Sequence, residues 1–412
     1  MRILMLAFNQ IGRGTYWRAF HLGRNLVRRG HKVTLMATSP AARLRMNQRE
    51  VDGIQLIETP DLLPGPLRSG WDAWNTTRRI GWLKGRRFDI VHAFEMRPVV
   101  LLPALIAQKR DALWIADWCD WFGRGGSVEE RPNRLMRMAL RPVETYFEER
   151  FRTRADAVTV INATLLQKAL DLGVPAERIL LFPNGADLES IRPQNRREVR
   201  ARLGLSMEVK LVAYTGALFW RDAALMAAAF DRIHAAEPSA RLLLIGYCNQ
   251  PVETMVRTPE AVWRTGPVNS RQLADYLSAS DVGWLPLTDC GANRGRFPMK
   301  VSDFMAAGLP VAASDVGDVG ALLREVAIGR LALAQPESMA DAMLALLADA
   351  AERERLGRRA RQVAEARFAW PLIGELVEHF YETIMGSETN RGVAAGPASP
   401  PDEYANKPLR SM

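Results

Sequence analysis

Short apolar segments alternate with longer amphipathic segments along the first half of this chain. The short segments match buried β-strands, and apolar residues in the longer ones recur at helical spacing, as in 16–29, which ends at Gly30. Strands that alternate with helices in this way form crossover units on a parallel sheet. The strands predicted here are 2–8, 32–37, 54–58, 90–93, 113–116 and 157–161, and a charged amphipathic helix is predicted at 133–153.

A second alternation follows a segment rich in turn-forming residues, FPNGADLESIRPQ at 182–194, which predicts a hinge. The second set of strands is predicted at 211–214, 241–245, 282–285 and 310–313. The predicted fold class is therefore α/β, with two tandem Rossmann-like doubly wound domains whose carboxyl strand ends face a cleft. We expect an N-terminal domain at 1–186, a hinge at 187–204, a C-terminal domain at 205–370, a terminal helix at 371–385 and a disordered tail at 386–412.

The composition is that of a globular protein with two cores. The 412 residues exceed one ordinary domain, and a hydrophobic fraction of 48% with 25% charged residues is typical of globular chains. No apolar run is long enough to span a bilayer, and the opening MRILMLAF is interpreted as a strand and not as a signal peptide. The three scattered cysteines favour a reducing, cytoplasmic location and argue against a structural zinc site.

The formal net charge of +9 comes from the N-terminal half of the chain. Residues 1–186 contain 29 Lys and Arg against 18 Asp and Glu, whereas residues 187–412 contain 26 against 28. An anionic lipid surface, an anionic acceptor or a nucleic acid would each complement the basic half. No nucleic-acid motif is recognisable, so nucleic acid is not expected as a partner. Arginines spread over a solvated surface are the alternative to a binding surface.

The segment 292–315, ANRGRFPMKVSDFMAAGLPVAASD, contains the most informative pattern in the chain. Lys300 and Asp303 are three residues apart on a predicted helix, so their side chains project from one face. Pro298 suits the first turn of that helix, and Gly308 suits the left-handed residue that closes it. A cation and a carboxylate beside a helix N-terminus suit a ligand with phosphates and a diol, because the carboxylate accepts hydrogen bonds from sugar hydroxyls.

Two loops of the first half follow predicted strands and contain candidate ligand contacts. In NQIGRGT at 9–15, glycine lets the backbone approach a ligand closely, and we select Gly14; an ordinary strand-to-helix turn is the alternative. In ADWCDWFGRGG at 116–126, Asp117 and Asp120 lie among three aromatic residues, which favours a saccharide-facing loop. The alternative there is a buried aromatic cluster in which Asp117 caps a helix.

Two turns of the second half are candidates for contacts with a nucleotide. TGALFWR at 215–221 ends a predicted strand, and small residues after Thr215 and Gly216 would let backbone amides reach a phosphate. RTGPV at 264–268 precedes a predicted helix, and a nucleobase would rest against Val268. Considered alone, the turn 264–268 is weak evidence for a nucleotide site.

Taken together, these motifs resemble those of GT-B glycosyltransferases in the broad group called family four. The resemblance covers nearly all of residues 1–384 and is most specific in PMKVSDFMAAGLPVAASD, FPNGAD, YTGAL, RTGPVNSRQLADYLSASDVGWLPL and RRGHKVTL. It implies that Asp303 holds the ribose of a nucleotide-sugar and that Lys300 contacts its diphosphate. It also implies that the turn 215–217 faces the phosphates and 266–268 the base. The N-terminal domain would take the acceptor, and the terminal helix would cross back to it.

The chain departs from the family pattern at two acidic positions. The family commonly has Glu where Asp303 stands, and a second Glu eight residues earlier, where this chain has Gly295. Cations that often follow the YTG turn are replaced here by small and apolar residues. Arg294 and Arg296 flank Gly295 and are the expected substitutes as phosphate ligands. We interpret RGR-(F/W)-P-x-K-x-x-D as a subgroup motif in which the shorter Asp303 keeps the ribose contact.

The resemblance implies a retaining glycosyltransferase that moves a sugar from a UDP- or GDP-sugar to a hydroxyl acceptor, in cell-surface glycan or glycolipid synthesis. The expected partners are a glycan or lipid-linked acceptor and an anionic membrane surface, with the protein peripheral at the inner face. No cofactor or metal is expected, because cationic side chains would neutralise the leaving diphosphate. We assign catalytic contributions to Lys300, Arg296 and Asp120, and donor contacts to Asp303, Thr215, Gly216, Ala217, Val268, Arg294 and Gly14.

Two other classes of function remain open. A GT-B epimerase would convert a nucleotide-sugar without an acceptor, and a non-catalytic binder or scaffold would hold the donor without releasing nucleoside diphosphate. Gly295 keeps the second class open. A nicotinamide oxidoreductase is disfavoured because 9–15 lacks the GxGxxG spacing. A hydrolase with paired carboxylates is disfavoured because no pattern places two acids across one bond.

Overall fold

The computed structural model describes residues 1–63, 70–131 and 133–391, with side chains described through residue 386. The chain divides into two compact units. The first contains Met1–Pro183 together with the terminal helix that begins at Trp370, and the second contains Asn184–Ala369. Each unit has its own sheet and its own core.

The first unit is built on an eight-stranded sheet. Its strands are β1 (Arg2–Gln10), β2 (Lys32–Thr38), β3 (Asn47–Val51), β4 (Ile54–Thr59), β5 (Ile90–Phe94), β6 (Leu113–Trp118), β7 (Ala157–Val160) and β8 (Ile179–Leu181). They lie in the order β3-β4-β2-β1-β5-β6-β7-β8, and all neighbours are parallel except β3, which is antiparallel to β4. Every residue of β5, β6 and β7 is buried, as expected for parallel strands covered on both faces.

Five α-helices connect the strands of the first unit within the described residues. They are α1 (Thr15–Arg28), α2 (Ala73–Leu83), α3 (Pro98–Gln108), α4 (Arg134–Arg152) and α5 (Ala163–Asp171). Side-chain caps start three of them: Asp72, Asn133 and Asn162 each accept a hydrogen bond from a backbone N–H in the first turn of α2, α4 and α5. The local sequence therefore specifies where these helices begin.

The second unit is built on six parallel strands in the order β11-β10-β9-β12-β13-β14. These are β9 (Lys210–Thr215), β10 (Ala240–Ile245), β11 (Val262–Arg264), β12 (Val282–Leu285), β13 (Val311–Ser314) and β14 (Gly329–Ala332). Its helices are α6 (Arg196–Leu203), α7 (Trp220–Ala236), α8 (Ser270–Ala279), α9 (Gly291–Arg294), α10 (Met299–Ala306), α11 (Gly317–Val326), α12 (Pro336–Ala348) and α13 (Ala350–Val363). The strand order reverses direction between β9 and β12, which is the doubly wound arrangement.

The last helix, α14 (Trp370–Arg391), packs on the first unit. Trp370 stacks on His21 of α1 with ring centroids 5.4 Å apart. Further along, Glu378 Oε1 lies 2.6 Å from His31 Nε2, and the Tyr381 hydroxyl lies 2.6 Å from Nδ1 of the buried His92. These contacts attach α14 along its length to α1 and β5.

The predicted fold class of two doubly wound α/β units is confirmed, but the segment predicted as a hinge is built into the second unit. The division between the units falls after Pro183, and the Asn184 carbonyl accepts a hydrogen bond from Ser302 Oγ at 2.8 Å. Within the predicted hinge 187–204, α6 buries Arg200 with its Nη2 2.9 Å from an oxygen of Asp281. Turn-forming residues indicate where the backbone bends, but a segment that contains them can still pack against the rest of a domain.

Two other elements differ from the prediction. β3 was not predicted, because its residues NQREV are mostly exposed and show no apolar alternation. The helix α14 continues through Arg391, so 386–391, predicted as the start of a disordered tail, is helical. A helix already held by packing extends at little cost per added residue.

The rest of the predicted tail, 392–412, lies outside the described residues. Within the described part of the chain, no helix is both long and apolar enough to cross a bilayer.

Candidate functional site

The carboxyl ends of β9 and β12 mark the point in the second unit where the chain winds in opposite directions. β9 pairs with β10 on one side and with β12 on the other, so the connections after these strands diverge and leave a crevice. Thr215 is the last residue of β9, and α10 lies beside this edge because Lys300 contacts the turn that follows. This crevice is the candidate functional site of the second unit.

The helix α10 is positioned from both of its ends. Pro298 is the N-cap, one position before the place predicted for it, and Gly308 has the expected left-handed φ of 67°. The Leu309 N–H donates to the Phe304 carbonyl at 2.9 Å, which closes the helix in a Schellman arrangement. Phe304 is fully buried beneath the helix. The short helix therefore presents its other face at a defined angle.

Lys300 reaches from α10 to the end of β9. Its Nζ donates to the Tyr214 hydroxyl and, at 3.2 Å, to the Ala217 carbonyl, and it lies 3.9 Å from the centre of the Tyr214 ring. Burial, reinforced by the charge of Arg296, lowers the pKa of Lys300 to about 7. The ammonium is therefore poorly compensated by the protein, and a nearby anion would stabilise its charged form.

Asp303 lies one turn after Lys300 and is also partly buried. Burial, together with the charge of Asp187, raises the pKa of Asp303 to about 7, and Lys300 only partly opposes this shift. Asp187 comes from the FPNGAD motif, which is anchored to the segment before α10 by a hydrogen bond from Asn184 Nδ2 to the Phe297 carbonyl, at 2.8 Å. Two segments distant in sequence thus place a second acid near Asp303.

Arg296 is held by a buried carboxylate at the start of α7. Its Nη2 lies 3.1 Å from Asp222 Oδ2, and its guanidinium lies 4.5 Å from the centre of the Phe219 ring. Asp222 also accepts hydrogen bonds from the Thr288 N–H and hydroxyl and from Asn293 Nδ2, at 2.7 to 2.8 Å. These bonds fix Arg296 near Lys300, whose pKa its charge lowers.

The turn after β9 offers fewer amides to a ligand than the sequence predicted. Gly216 has a left-handed φ of 75°, but its N–H donates to the Ile245 carbonyl at 3.1 Å. The Leu218 N–H donates to Asn249 Oδ1 at 2.8 Å. Because parallel pairing with β10 continues past Thr215, the Gly216 amide is already bonded, and the expected phosphate contact of the turn 215–217 stays a prediction. The exposed Ala217 lies between these two occupied amides.

The structure separates the other predicted donor contacts of this unit. Val268 lies beside Gly246, the residue that follows β10. A Cβ atom added to Gly246 would stand 4.0 Å from a methyl group of Val268, so Val268 flanks the end of β10. Arg294 instead forms a bidentate ion pair with Asp289, at 2.6 and 2.7 Å, and both side chains are exposed. The sequence placed Arg294 and Arg296 together as phosphate ligands; α9 and the following turn direct them to different carboxylates.

In the first unit, Gly14 occupies a position that requires glycine. Its φ is 53°, and an added Cβ would lie 2.8 Å from the Asn9 side chain. Asn9 Oδ1 accepts hydrogen bonds from the Thr15 N–H, at 2.9 Å, and from the Thr15 hydroxyl. The turn between β1 and α1 is therefore compact and internally bonded, while its role as a donor contact stays a prediction.

The loop after β6 differs from the predicted saccharide-facing loop at its beginning. Asp117 is fully buried, forms an ion pair with Arg18 at 3.0 Å and accepts a hydrogen bond from the Thr159 hydroxyl at 2.6 Å. Trp118 is also fully buried, and its indole N–H donates to Glu148 at 2.9 Å. Both residues belong to the core. Asp120 is partly exposed and its backbone N–H donates to Glu95 at 3.1 Å, so Asp120 is the acid of this loop that solvent reaches.

Sequence reasoning missed the residues that hold the predicted ones. Tyr214 contacts Lys300, and Asp222 contacts Arg296. In the sequence, Tyr214 looks like an ordinary strand residue and Asp222 like an ordinary helix residue. Glu95 follows β5 with a φ of 69°, unusual for a residue with a side chain, and its carboxylate accepts hydrogen bonds from the backbone N–H groups of Cys119 and Asp120. A single acid directly after a strand was the only available signal for it.

Family comparison identifies the class of protein that these two units form. Residues 13–185 match the model of the glycosyl transferase 4-like domain, and residues 209–349 match that of glycosyl transferases group 1. The chain therefore carries both domains of a GT-B glycosyltransferase, and the predicted class is confirmed at this level. The subgroup motif around Gly295 stays a prediction.

Curated relatives and a solved structure agree with this class. The chain is 26% identical over 399 residues to a D-inositol 3-phosphate glycosyltransferase of Xylanimonas cellulosilytica, covering 85% of this chain and 86% of the relative. It is 26% identical over 225 residues to a phosphatidyl-myo-inositol mannosyltransferase of Mycobacterium tuberculosis, covering 52% and 56%. Sucrose-phosphate synthase of Thermosynechococcus elongatus has a similar fold, with a TM-score of 0.72 at 19% identity over 94% of this chain and 99% of that one. The two curated relatives support a glycosyltransferase function.

Proposed function

We propose that the protein is a retaining glycosyltransferase that moves a sugar from a nucleoside-diphosphate sugar to a hydroxyl acceptor. The observation that carries the proposal is the pair Lys300 and Asp303 on α10, at the carboxyl edge of the sheet, with both pKa values near 7. Titratable groups shifted in opposite directions in one crevice are typical of a ligand site.

A nucleoside diphosphate relieves the electrostatic cost of both groups. A phosphate near Lys300 stabilises the ammonium that burial disfavours, and ribose hydroxyls near Asp303 donate hydrogen bonds to the carboxylate. The proposed bound state thus has Lys300 charged and Asp303 ionised. Donor binding is expected to shift both pKa values back towards their ordinary ranges.

The same cations are proposed to drive the chemical step. As the glycosidic bond breaks, negative charge grows on the diphosphate, and preorganised cations stabilise the transition state most where that charge develops. Lys300 is the first of these, and Arg296, oriented by Asp222, is the second. On this proposal no metal is needed to neutralise the leaving group. Asp120, from the first unit, is proposed to contact acceptor hydroxyls.

The acceptor is proposed to be a glycan or lipid at an anionic membrane surface. One relative is named for an inositol phosphate and another for a phosphatidylinositol, so both names describe anionic acceptors and the second a lipid. The first unit carries the basic excess of this chain, since residues 1–186 hold 29 Lys and Arg against 18 Asp and Glu. Peripheral association at the inner membrane face, in cell-surface glycan or glycolipid synthesis, follows from this proposal.

A thermal-shift panel of UDP, GDP, ADP and dTDP tests the donor site directly. A nucleotide at about 100 times its Kd should stabilise the wild type by about 2.7 kcal/mol, and Asp303→Ala should lose the effect. Asp275→Ala is the matched control, because Asp275 is a partly buried acid of the same unit whose partner is Arg202. If no nucleotide stabilises the wild type, the proposed donor site is wrong.

The same reagents separate the alternative functions. Binding without release of nucleoside diphosphate, in the presence of candidate acceptors, would favour a binder or scaffold. Conversion of the donor to an epimer without acceptor would favour an isomerase. Nuclear magnetic resonance of the product would establish whether the anomeric configuration is retained.

A further inference from the structure

Residues 134–146 of α4 place several apolar side chains in solvent. Leu135 is 76% exposed, Met138 is 61% exposed and Tyr146 is 55% exposed. These residues are separated by three and then eight positions, so they lie on one stripe of the helix, which Pro142 continues. Single exposed apolar residues are ordinary, but a continuous stripe on one helix marks an interaction surface.

The inner face of α4 buries three charged residues. The buried residues of α4 are Glu144, Glu148 and Arg152, one per turn. Glu148 accepts hydrogen bonds from the Phe122 and Gly123 N–H groups at 2.8 and 2.6 Å, and Arg152 pairs with the buried Glu95 at 2.7 Å. A helix on a water-exposed surface normally has the opposite arrangement. Here polar contacts fix the inner face, and several apolar side chains lie on the outer face.

Arginines border the apolar stripe. Residues 131–143 contain four arginines and no carboxylate. Arg134, Arg137 and Arg141 are three and four residues apart, so they form a second stripe beside Met138. Glu129 pairs with Arg141 at 2.5 Å, at the edge of this surface. A helix with an apolar face and an arginine border has the chemistry of one that lies in the headgroup region of an anionic membrane.

We propose that residues 134–146 of α4 form the surface through which the protein docks on an anionic lipid bilayer. Leu135, Met138 and Tyr146 insert among the upper acyl chains, and the bordering arginines contact lipid phosphates. The proposal goes beyond the donor site and rests on the proposed function only for the presence of a membrane acceptor. It assigns membrane binding to one surface of the first unit.

Vesicle sedimentation with the full chain tests the proposal, using equimolar phosphatidylglycerol and phosphatidylcholine against phosphatidylcholine alone. Leu135→Gln combined with Met138→Gln should lower the partition coefficient about tenfold, since two inserted apolar side chains are lost. The matched control is Leu102→Gln combined with Leu372→Gln, which changes two exposed leucines of the same unit, 42% and 44% exposed. The control should bind like the wild type.

A charge variant tests the arginine border separately. Arg134→Gln combined with Arg137→Gln should lower binding to the anionic vesicles about 30-fold at low salt, and this difference should shrink at high salt. Arg86→Gln combined with Arg87→Gln removes two exposed arginines elsewhere on the unit and should have little effect. The unfolding temperature of all four variants should stay close to that of the wild type, because these side chains are exposed except for the partly buried Arg137.

Three results would overturn the assignment of α4. The wild type does not bind anionic vesicles, the α4 variants bind as well as the wild type, or the α4 variants alter only self-association measured by light scattering, which would make a second copy the occupant. The nucleotide panel is independent of lipid. A wild type that is stabilised by nucleotide but does not bind anionic vesicles therefore contradicts only the docking surface, and a wild type that binds vesicles but is not stabilised by any nucleotide contradicts only the donor site.

Discussion

The two units share a doubly wound topology but differ in the burial and ion pairing of the charged residues near their strand ends. In the first unit, Asp117 at the end of β6 pairs with Arg18, and Glu95 after β5 pairs with Arg152; all four side chains are almost fully buried. In the second unit, Lys300 and Asp303 keep partial access to solvent. The same topology therefore supplies a buried, paired charge network in one unit and two partly accessible charged groups in the other.

The pKa shifts show why the two arrangements behave differently. Burial opposes ionisation of Asp117, but the charge of Arg18 and hydrogen bonds to the carboxylate outweigh it, and its pKa is lowered. For Asp303, burial and the charge of Asp187 act together and raise the pKa to about 7. The first acid is compensated within the protein. The second is compensated only in part, by Lys300, which supports the proposal that a ligand binds there.

Removal of Asp117 should have the largest effect on stability. Asp117→Ala leaves Arg18 buried without its carboxylate, and we expect the free energy of unfolding to fall by about 3–5 kcal/mol. Urea denaturation measures this loss, with Asp303→Ala as the comparison, because Asp303 forms no ion pair within the part of the chain that the structure describes. Equal destabilisation by both variants would remove the contrast between the units.

Removal of Lys300 should have the largest effect on catalysis. Lys300→Ala should lower turnover by about 10²–10³, the range seen when one preorganised charge stabiliser is lost, with unchanged unfolding temperature. Release of nucleoside diphosphate from the donor identified in the thermal-shift panel is the readout. Lys210→Ala, at the opposite end of β9, is the control and should retain full turnover. Normal turnover of Lys300→Ala would contradict the assigned role.

The difference in stability between Asp303→Asn and the wild type should depend on pH, because ionised Asp303 destabilises the folded state. Because the folded-state pKa of Asp303 is raised to about 7, ionisation destabilises the folded state progressively from the ordinary carboxyl pKa up to that value. At pH 8 the variant should be more stable than the wild type by about 1–3 kcal/mol, and near pH 3 the two should be equal. Its nucleotide affinity should nevertheless fall. A stability difference that does not change with pH would show that Asp303 is compensated after all.

Much of the fold could be predicted from local pattern. Apolar strands such as 113–116 and 282–285 appear within a few residues of β6 and β12, because a strand buried on both faces needs a short apolar run. Gly308 was predicted to close α10 and does so with a φ of 67°. The exposed edge strand β3 was missed, since its pairing with β4 uses backbone hydrogen bonds and leaves no pattern in the side chains.

The candidate site was predictable only in part. Lys300 and Asp303 share one short helix, so their common face follows from a spacing of three residues. The predicted role of Asp117 in a saccharide-facing loop was wrong, because its partner Arg18 lies far away in sequence. The turn 215–217 was predicted to offer backbone amides to a phosphate. The Gly216 amide is bonded to the Ile245 carbonyl, and this bond depends on the register of β9 and β10, which the local sequence does not show.

The sequence by itself determined the two alternating α/β units, the helix that presents Lys300 and Asp303, and the amphipathic character of α4, because each depends on residues close together in the chain. Only the tertiary structure decided that Tyr214 and Asp222 hold the site cations, and that α4 turns Glu144 and Glu148 inward. A helical pattern separates two faces but does not say which one is buried. That choice depends on buried hydrogen bonds with distant segments, which no local pattern records.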